Sequence, residues 1–222
     1  MKVDFPSSAL LEIDIQNDFC PGGALAVMNG DEVIKPLNRL ARLFNRKGGR
    51  VIATQDWHTE NHISFASSNP GKKPGDLIEL PTVKEQYLWP DHCVFGTQGA
   101  AFHSDLILDL VHMMIRKGYS PGLDSYSAFY ENDRKTPTGL NGFLKGLEIK
   151  SVFLGGLATD YCVYYSAMDA VYHGYKTCLI IDASRGINYP EGSIDKAITV
   201  MKKAGVQIIN SSDIERDINE HI

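Results

Sequence analysis

Six short apolar runs alternate with stretches of helical spacing along this chain, and few architectures accept that rhythm. The runs are Ala9–Ile15, Arg50–Thr54, His112–Arg116, Ser151–Leu154, Thr177–Asp182 and Val206–Ile209. Each is too short for a core helix and suits a strand buried on both faces. Between them, Asp31–Arg46, Gly139–Leu147, Thr159–His173 and Ser193–Lys203 repeat apolar residues at helical spacing. Asn29-Gly30-Asp31 offers a helix start and Gly205 a stop. Strand and helix in alternation predict an α/β fold, a parallel sheet with helices on both faces. The stretch from Gln55 to Asp105 breaks the rhythm with prolines, glycines and histidines, as functional loops do.

No Gly/Ser/Pro linker divides the 222 residues, so the expectation is one domain spanning 1–222. Twenty-two Lys and Arg face 27 Asp and Glu, a net charge of -5, with no basic stripe to neutralise a phosphate backbone. A small molecule is expected as partner, rather than nucleic acid. The first residues, MKVDFPSSALLEIDIQNDF, carry Asp4, Glu12 and Asp14 within their apolar run and read neither as a signal peptide nor as a membrane span. The expected location is cytoplasmic. Cys20, Cys93, Cys162 and Cys178 lie far apart without a CxxC pair, which suits reduced thiols.

In open parallel sheets ligands bind beyond the carboxyl ends of the strands, and the reactive residues of this chain fall there. In SVFLGGLATDYCVYYSAMDAVYHGY, a strand, two glycines and a turn lead to a helix with Cys162 in its first turn. Helix-start amides and dipole favour a thiolate, so the Cys162 pKa is expected to fall, and the amides of Ala158 and Cys162 would frame an oxyanion. Asp14 ends the first strand as a candidate base, and Lys117 ends the third as a candidate charge partner. Glu12, two residues before Asp14, is expected to raise its basicity by like-charge repulsion. Cys93 beside His92 is the competing nucleophile, but no helix start follows it; Cys20 and Cys178 read as core or loop filler. Asp56 and His58 at the end of the second strand, with His92, make an N/O set that suits zinc, iron or manganese. His62 is a further ligand only if residues 57–63 are helical; otherwise it is a loop hydrogen-bonding residue, as are His103, His112, His173 and His221.

The motifs DIQNDFCPGGAL, TQDWHTENHISFA, WPDHCVFGTQGAAFH, IRKG and GLATDYCVYYSAMDA, in this order, resemble those of the nicotinamidases among the isochorismatase-like cysteine hydrolases. The resemblance spans Asp14 to about Asp182. It implies a three-layer α/β/α fold with a six-stranded parallel sheet, a catalytic set of Asp14, Lys117 and Cys162, and one divalent metal, with zinc first and iron or manganese as alternatives, on Asp56, His58 and His92. It also implies a non-proline cis peptide at Leu157-Ala158, with the Ala158 amide turned to the oxyanion. The implied substrate is nicotinamide, stacked among Phe19, Trp89 and Tyr126 and hydrolysed through a thioester to nicotinate and ammonia, a step of NAD salvage. A homo-oligomer is compatible with this reading. A cysteine amidohydrolase for carbamoyl or ureido substrates is the alternative, though such relatives generally lack the metal set. Isochorismatase chemistry is disfavoured by Cys162, and a silent binding protein by the intact Asp14, Lys117 and Cys162.

Overall fold

The computed structural model describes residues 2–81 and 83–216; His221 lies outside the described residues. Its main sheet holds β1 (Ser8–Ile13), β2 (Arg50–Asp56), β5 (Met113–Lys117), β6 (Ser151–Leu157), β7 (Lys176–Arg185) and β8 (Gln207–Ile209) in the order β5-β2-β1-β6-β7-β8. Every neighbouring pair is parallel. The helices are α1 (Ile34–Arg46), α2 (Leu140–Gly146), α3 (Cys162–Tyr172), α4 (Ser193–Lys203) and α5 (Ser211–Arg216). Residues of α1 and α5 enter one core with Leu10, Val51 and Phe153, while α2, α3 and α4 enter the other with Leu11, Ile52 and Leu154. With layers on both faces, all six residues of β1 are buried, which is why the strands read as apolar runs without alternation. Among the described residues no helix is long and apolar enough to cross a membrane.

The six expected strands and four expected helices are all present, but β1 stops at Ile13, two residues before its expected end, where Asp14 turns to φ +49°, whereas other strands run on past theirs. β2 continues to Asp56, β5 to Lys117 and β6 through both glycines to Leu157. Hydrophobic pattern stops where a strand turns polar, yet these polar ends still pair in the sheet. β6 continues because Gly156, at φ +123°, lets two backbones touch: a Cβ there would lie 2.1 Å from the Ile13 carbonyl oxygen. A 3-10 turn, Gly30–Val33, precedes α1, which starts three residues later than its spacing suggests. Pro36 falls in the first turn of α1, where no intrahelical partner is lost. A two-stranded antiparallel ribbon of β3 (Leu77–Ile78) and β4 (Gln86–Tyr87) interrupts the long irregular segment, too short to leave a periodic signature.

Glu12 departs from its expected role. It shares the α1 face of β1 with Leu10, is fully buried, and neither carboxyl oxygen has a hydrogen-bond partner among the described residues. Burial pushes its pKa to about 8, so at pH 7 it is mostly a neutral acid and offers Asp14 little charge repulsion. The unfolded chain releases this proton near the ordinary value of 4.5, whereas the folded chain keeps it up to about 8. Stability therefore falls as pH rises through that window, by up to about 1.4 kcal/mol per pH unit. Glu12→Leu is expected to raise Tm at pH 8 and to flatten its decline between pH 5 and 8, read by calorimetric melting of both proteins. Equal slopes in the two proteins would show that Glu12 is not a buried acid that titrates on folding.

Candidate active site

Four strand ends meet around one buried lysine. Asp14 follows β1, Asp56 closes β2, Lys117 closes β5 and Cys162 follows β6, on four strands that are neighbours in the sheet. Asp56 and Lys117 are register partners. The Lys117 Nζ is 2.8 Å from Asp14 Oδ2, donates to the Ser125 carbonyl at 3.1 Å, and makes a short contact with Asp56 Oδ1. It also lies 3.5 Å from Cys162 Sγ. No part of Lys117 reaches solvent. Burial alone would strip its proton, but Asp14 and Asp56 outweigh that and hold the ammonium well above its ordinary pKa.

Asp14 sits at φ +49°, a left-handed turn that ends the side-chain alternation of β1. Its amide donates to Thr54 Oγ1 at 3.1 Å, and the Thr54 hydroxyl donates back to Asp14 Oδ1 at 2.6 Å. Burial raises its pKa; Lys117 opposes and Asp56 adds to the rise. Asp56 behaves oppositely, because Lys117 and His58 overcome its burial and hold it well below the carboxylate range. Two carboxylates on one lysine thus differ in basicity, Asp14 being the better proton acceptor.

The Cys162 thiol corrects an expectation. It does stand at the start of α3, within 4.8 Å of carboxylate oxygens of Asp14 and Asp56. Yet its pKa rises well above the ordinary thiol value, because burial and the two carboxylates outweigh the opposing Lys117 charge. A helix start favours a thiolate only weakly against such desolvation. The resting group is a thiol, and Asp14 is the more basic of the two carboxylates within reach of it. Leu157-Ala158 is a cis peptide, and Ala158 and Cys162 both border the adjoining pocket.

Asp56, His58 and His92 form a second cluster, of which Asp56 and His92 border that pocket. His58 Nδ1 faces the Gly118 carbonyl at 2.8 Å, and His92 Nδ1 faces the Pro90 carbonyl at 2.7 Å. Each ring therefore donates through Nδ1 and turns Nε2 inward, 3.6 Å and 4.0 Å from Asp56 Oδ2. The buried His58 Nε2 has no hydrogen-bond partner among the described residues. One carboxylate and two imidazoles with carbonyl-fixed tautomers fit a divalent cation. His62 belongs to a non-helical segment; its Nδ1 meets Ser64 Oγ at 2.7 Å, its Nε2 meets the Leu123 carbonyl at 3.2 Å, and its ring stacks on His58. Both nitrogens are thereby used in the loop. Cys93 is fully buried, at φ +47°, with its amide held by Asp18 Oδ2 at 2.7 Å and its carbonyl by the His58 amide at 3.0 Å. It orders the backbone beside His92.

A small pocket joins the two groups, with Asp56, His92, Ala158 and Cys162 among the residues that line it. Phe19, Trp89 and Tyr126 all line it. The Trp89 indole donates to the Tyr126 hydroxyl at 3.1 Å, and both rings meet Tyr161 edge-on, at 4.9 and 5.4 Å. Tyr161, Asp124, Leu25 and Ile187 complete the lining and were not foreseen. Tyr161 adjoins Cys162, so its position was open to inference; Asp124 and Ile187 lie in loops without periodicity. Asp124 takes the Gln86 amide at 2.7 Å and lies 4.0 Å from His58 Nε2. Gln16, inside the first motif, grips the Asp56 backbone from both sides, at 2.8 Å each way.

The isochorismatase domain matches residues 8–213. The nicotinamidase of Acinetobacter baylyi is 47% identical over 206 residues, which cover 93% of this chain and 94% of that protein. The structure of PnC1 from L. infantum in complex with nicotinate superposes with a TM-score of 0.80 at 33% identity, covering 96% of each chain. The pyrazinamidase of Pyrococcus horikoshii in complex with zinc superposes at 0.76 and 38% identity, covering 92% of this chain and 99% of that one.

Burial works against a charge on His58, but Asp56 overrides it and raises the pKa, so a proton and a cation compete for this ring. Zinc added to the chelated protein is expected to raise Tm, by roughly 2.7 kcal/mol of stability at a hundredfold excess over Kd, with proton release visible by calorimetry in two buffers. Asp56→Ala should abolish both signals. Lys117→Ala strands two buried carboxylates and is expected to cost roughly 3–5 kcal/mol in urea unfolding; a loss below about 1 kcal/mol would mean that the cluster is not held by the lysine.

Proposed function

This chain belongs to the isochorismatase family, and from that membership we propose that it is a nicotinamidase, hydrolysing the carboxamide C–N bond of nicotinamide to nicotinate and ammonia. The observation that carries the reading is the juxtaposition in one small cavity of a thiol with its buried base and a ready-made N/O metal site. A pyridine carboxamide has one group for each: a carbonyl for the thiol and a ring nitrogen for the metal. The relatives support it, since one binds nicotinate and another zinc in the same fold.

Asp56, His58 and His92 would hold the cation, which would supply a Lewis-acidic anchor for the ring nitrogen. Phe19, Trp89 and Tyr126 enclose the ring, each aromatic contact contributing about 0.5–1.5 kcal/mol beyond area burial. Cys162 then faces the carboxamide carbon. Asp14 takes the thiol proton as sulfur adds to the carbonyl, and Lys117, 3.5 Å from Sγ, balances the negative charge as it passes from carboxylate to thiolate. The amides of Ala158 and Cys162 hold the oxyanion. Collapse of the tetrahedral adduct breaks the C–N bond, and protonated Asp14 gives its proton to the leaving ammonia. The thioester is opened by a water that Asp14 deprotonates. Nicotinate leaves and sulfur recovers its proton. Thr54 orients Asp14 throughout. One domain over 1–222, a place in NAD salvage and a cytoplasmic setting complete the reading.

Ammonia release from nicotinamide tests it. Wild type with zinc restored is expected to turn over; Cys162→Ala is expected to lose on the order of 10⁴-fold or more in kcat, and Cys93→Ala to retain turnover. Thr54→Val, which keeps shape but removes the hydroxyl, should lose roughly 10- to 100-fold in kcat with KM nearly unchanged, an effect on the transition state alone. Release of ammonia from ureido compounds but not from nicotinamide would replace the substrate while keeping the cysteine chemistry.

A further inference from the structure

We infer that Leu25 and Ile187 form the aperture of the pocket and decide which ring substituents a carboxamide substrate can carry; this rests on the function proposed above. The residues lining the cavity are buried with two exceptions, Leu25 and Ile187, which are half-buried. The way to solvent therefore runs between these two side chains. They approach from opposite loops, one following β1 and one following β7, and each packs against both hydrophobic cores.

Both sides of the aperture are tied to the residues that hold the reactants. The Leu25 amide donates to the Asp18 carbonyl at 3.0 Å, while the Asp18 carboxylate takes the Ala24 amide at 3.2 Å and the Cys93 amide, next to His92, at 2.7 Å. On the other side Asp160, two residues before Cys162, accepts the Ile187 and Asn188 amides at 2.9 Å each and the Ser193 hydroxyl at 2.5 Å. Tyr161 further pins this loop by donating to the Tyr189 carbonyl. Gly186 keeps it close, since a Cβ there would lie 2.5 Å from the Ile194 side chain. Two loops so anchored present an aperture of defined width rather than a loose flap.

The chemistry of the ring selects the position that meets them. In nicotinamide the ring nitrogen and the carboxamide-bearing carbon are meta to each other. With the nitrogen towards Asp56, His58 and His92 and the carboxamide at Cys162, the carbon between them, C2, faces the fully buried Lys117 that bridges both groups. C5, para to C2, points the other way, towards the aperture. Leu25 and Ile187 carry no hydrogen-bonding group, so they discriminate C5 substituents by size and polarity, and one methyl group in such a contact changes kcat/KM by roughly tenfold or more.

The test compares kcat/KM for 5-methylnicotinamide with that for nicotinamide in wild type, Ile187→Val, Ile187→Ala, Leu25→Ala and Ile187→Phe, each checked for folding by circular dichroism. The 5-methyl to unsubstituted ratio is expected to rise by roughly tenfold in Ile187→Ala and Leu25→Ala, to rise less in Ile187→Val, and to fall in Ile187→Phe. Binding of 5-methylnicotinate relative to nicotinate, measured by calorimetry without turnover, should follow the same order. A ratio constant within twofold across the folded variants, with nicotinamide still hydrolysed by wild type, overturns the aperture and leaves the function standing. If wild type releases no ammonia from nicotinamide, the substrate reading fails and the aperture assignment falls with it.

Discussion

A buried ammonium between two buried carboxylates is the constraint from which the rest of this site follows. Lys117 has no contact with water, and its charge persists only because Asp14, Asp56 and the Ser125 carbonyl receive it. An ion cluster of this kind is costly to assemble and costly to break, because each member is desolvated and depends on the others. The sheet meets that demand by bringing the ends of β5, β2, β1 and β6 side by side, so that four residues distant in sequence become mutual neighbours. The lysine also divides the carboxylates into two roles. Asp56 is held ionised beside the imidazoles, whereas burial raises Asp14 and makes it the more basic of the two.

In the proposed mechanism the same cluster explains why the thiol needs no permanent activation. A standing thiolate would add a third anion to a dry cavity that already holds two, and burial with Asp14 and Asp56 pushes the Cys162 proton on rather than off. Proton transfer to Asp14 within the cluster leaves its net charge unchanged, which is the least costly way to create a nucleophile away from water. Around this centre the polar supports are short and local. Thr54 holds Asp14, Gln16 holds the Asp56 backbone, and carbonyls of Gly118 and Pro90 fix the two histidine rings. The apolar walls and the Leu25–Ile187 opening then limit what can approach.

Much of this was legible along the chain. The interior of each strand announced itself because burial on both faces demands unbroken apolar runs, and the reactive residues stood out because they are polar where those runs end. What escaped has a common cause. The extra residues of β2, β5 and β6 carry polar or glycine residues that pattern reading assigns to loops, although their backbones still pair. Asp124 and Ile187 sit in segments whose conformation is fixed by contacts rather than by propensity. The thiol pKa is not legible locally because the helix start is visible in sequence, whereas burial and the two carboxylates arrive from other strands. Glu12 is a related case: its separation from Asp14 is two residues, but protonation set by burial removes most of the charge that would repel Asp14.

By itself, then, the sequence determined the strand and helix rhythm, the motifs, and the identities of the residues that can donate, accept or ligate, since these depend on side-chain chemistry and short-range spacing. Tertiary structure alone decided which carboxylate beside the thiol is the more basic, which imidazole nitrogens turn inward, how the cavity closes and where it opens. Those outcomes depend on desolvation and on distances between groups far apart in sequence, 148 positions from Asp14 to Cys162 and 162 from Leu25 to Ile187, and both quantities exist only once the sheet has brought its strand ends together.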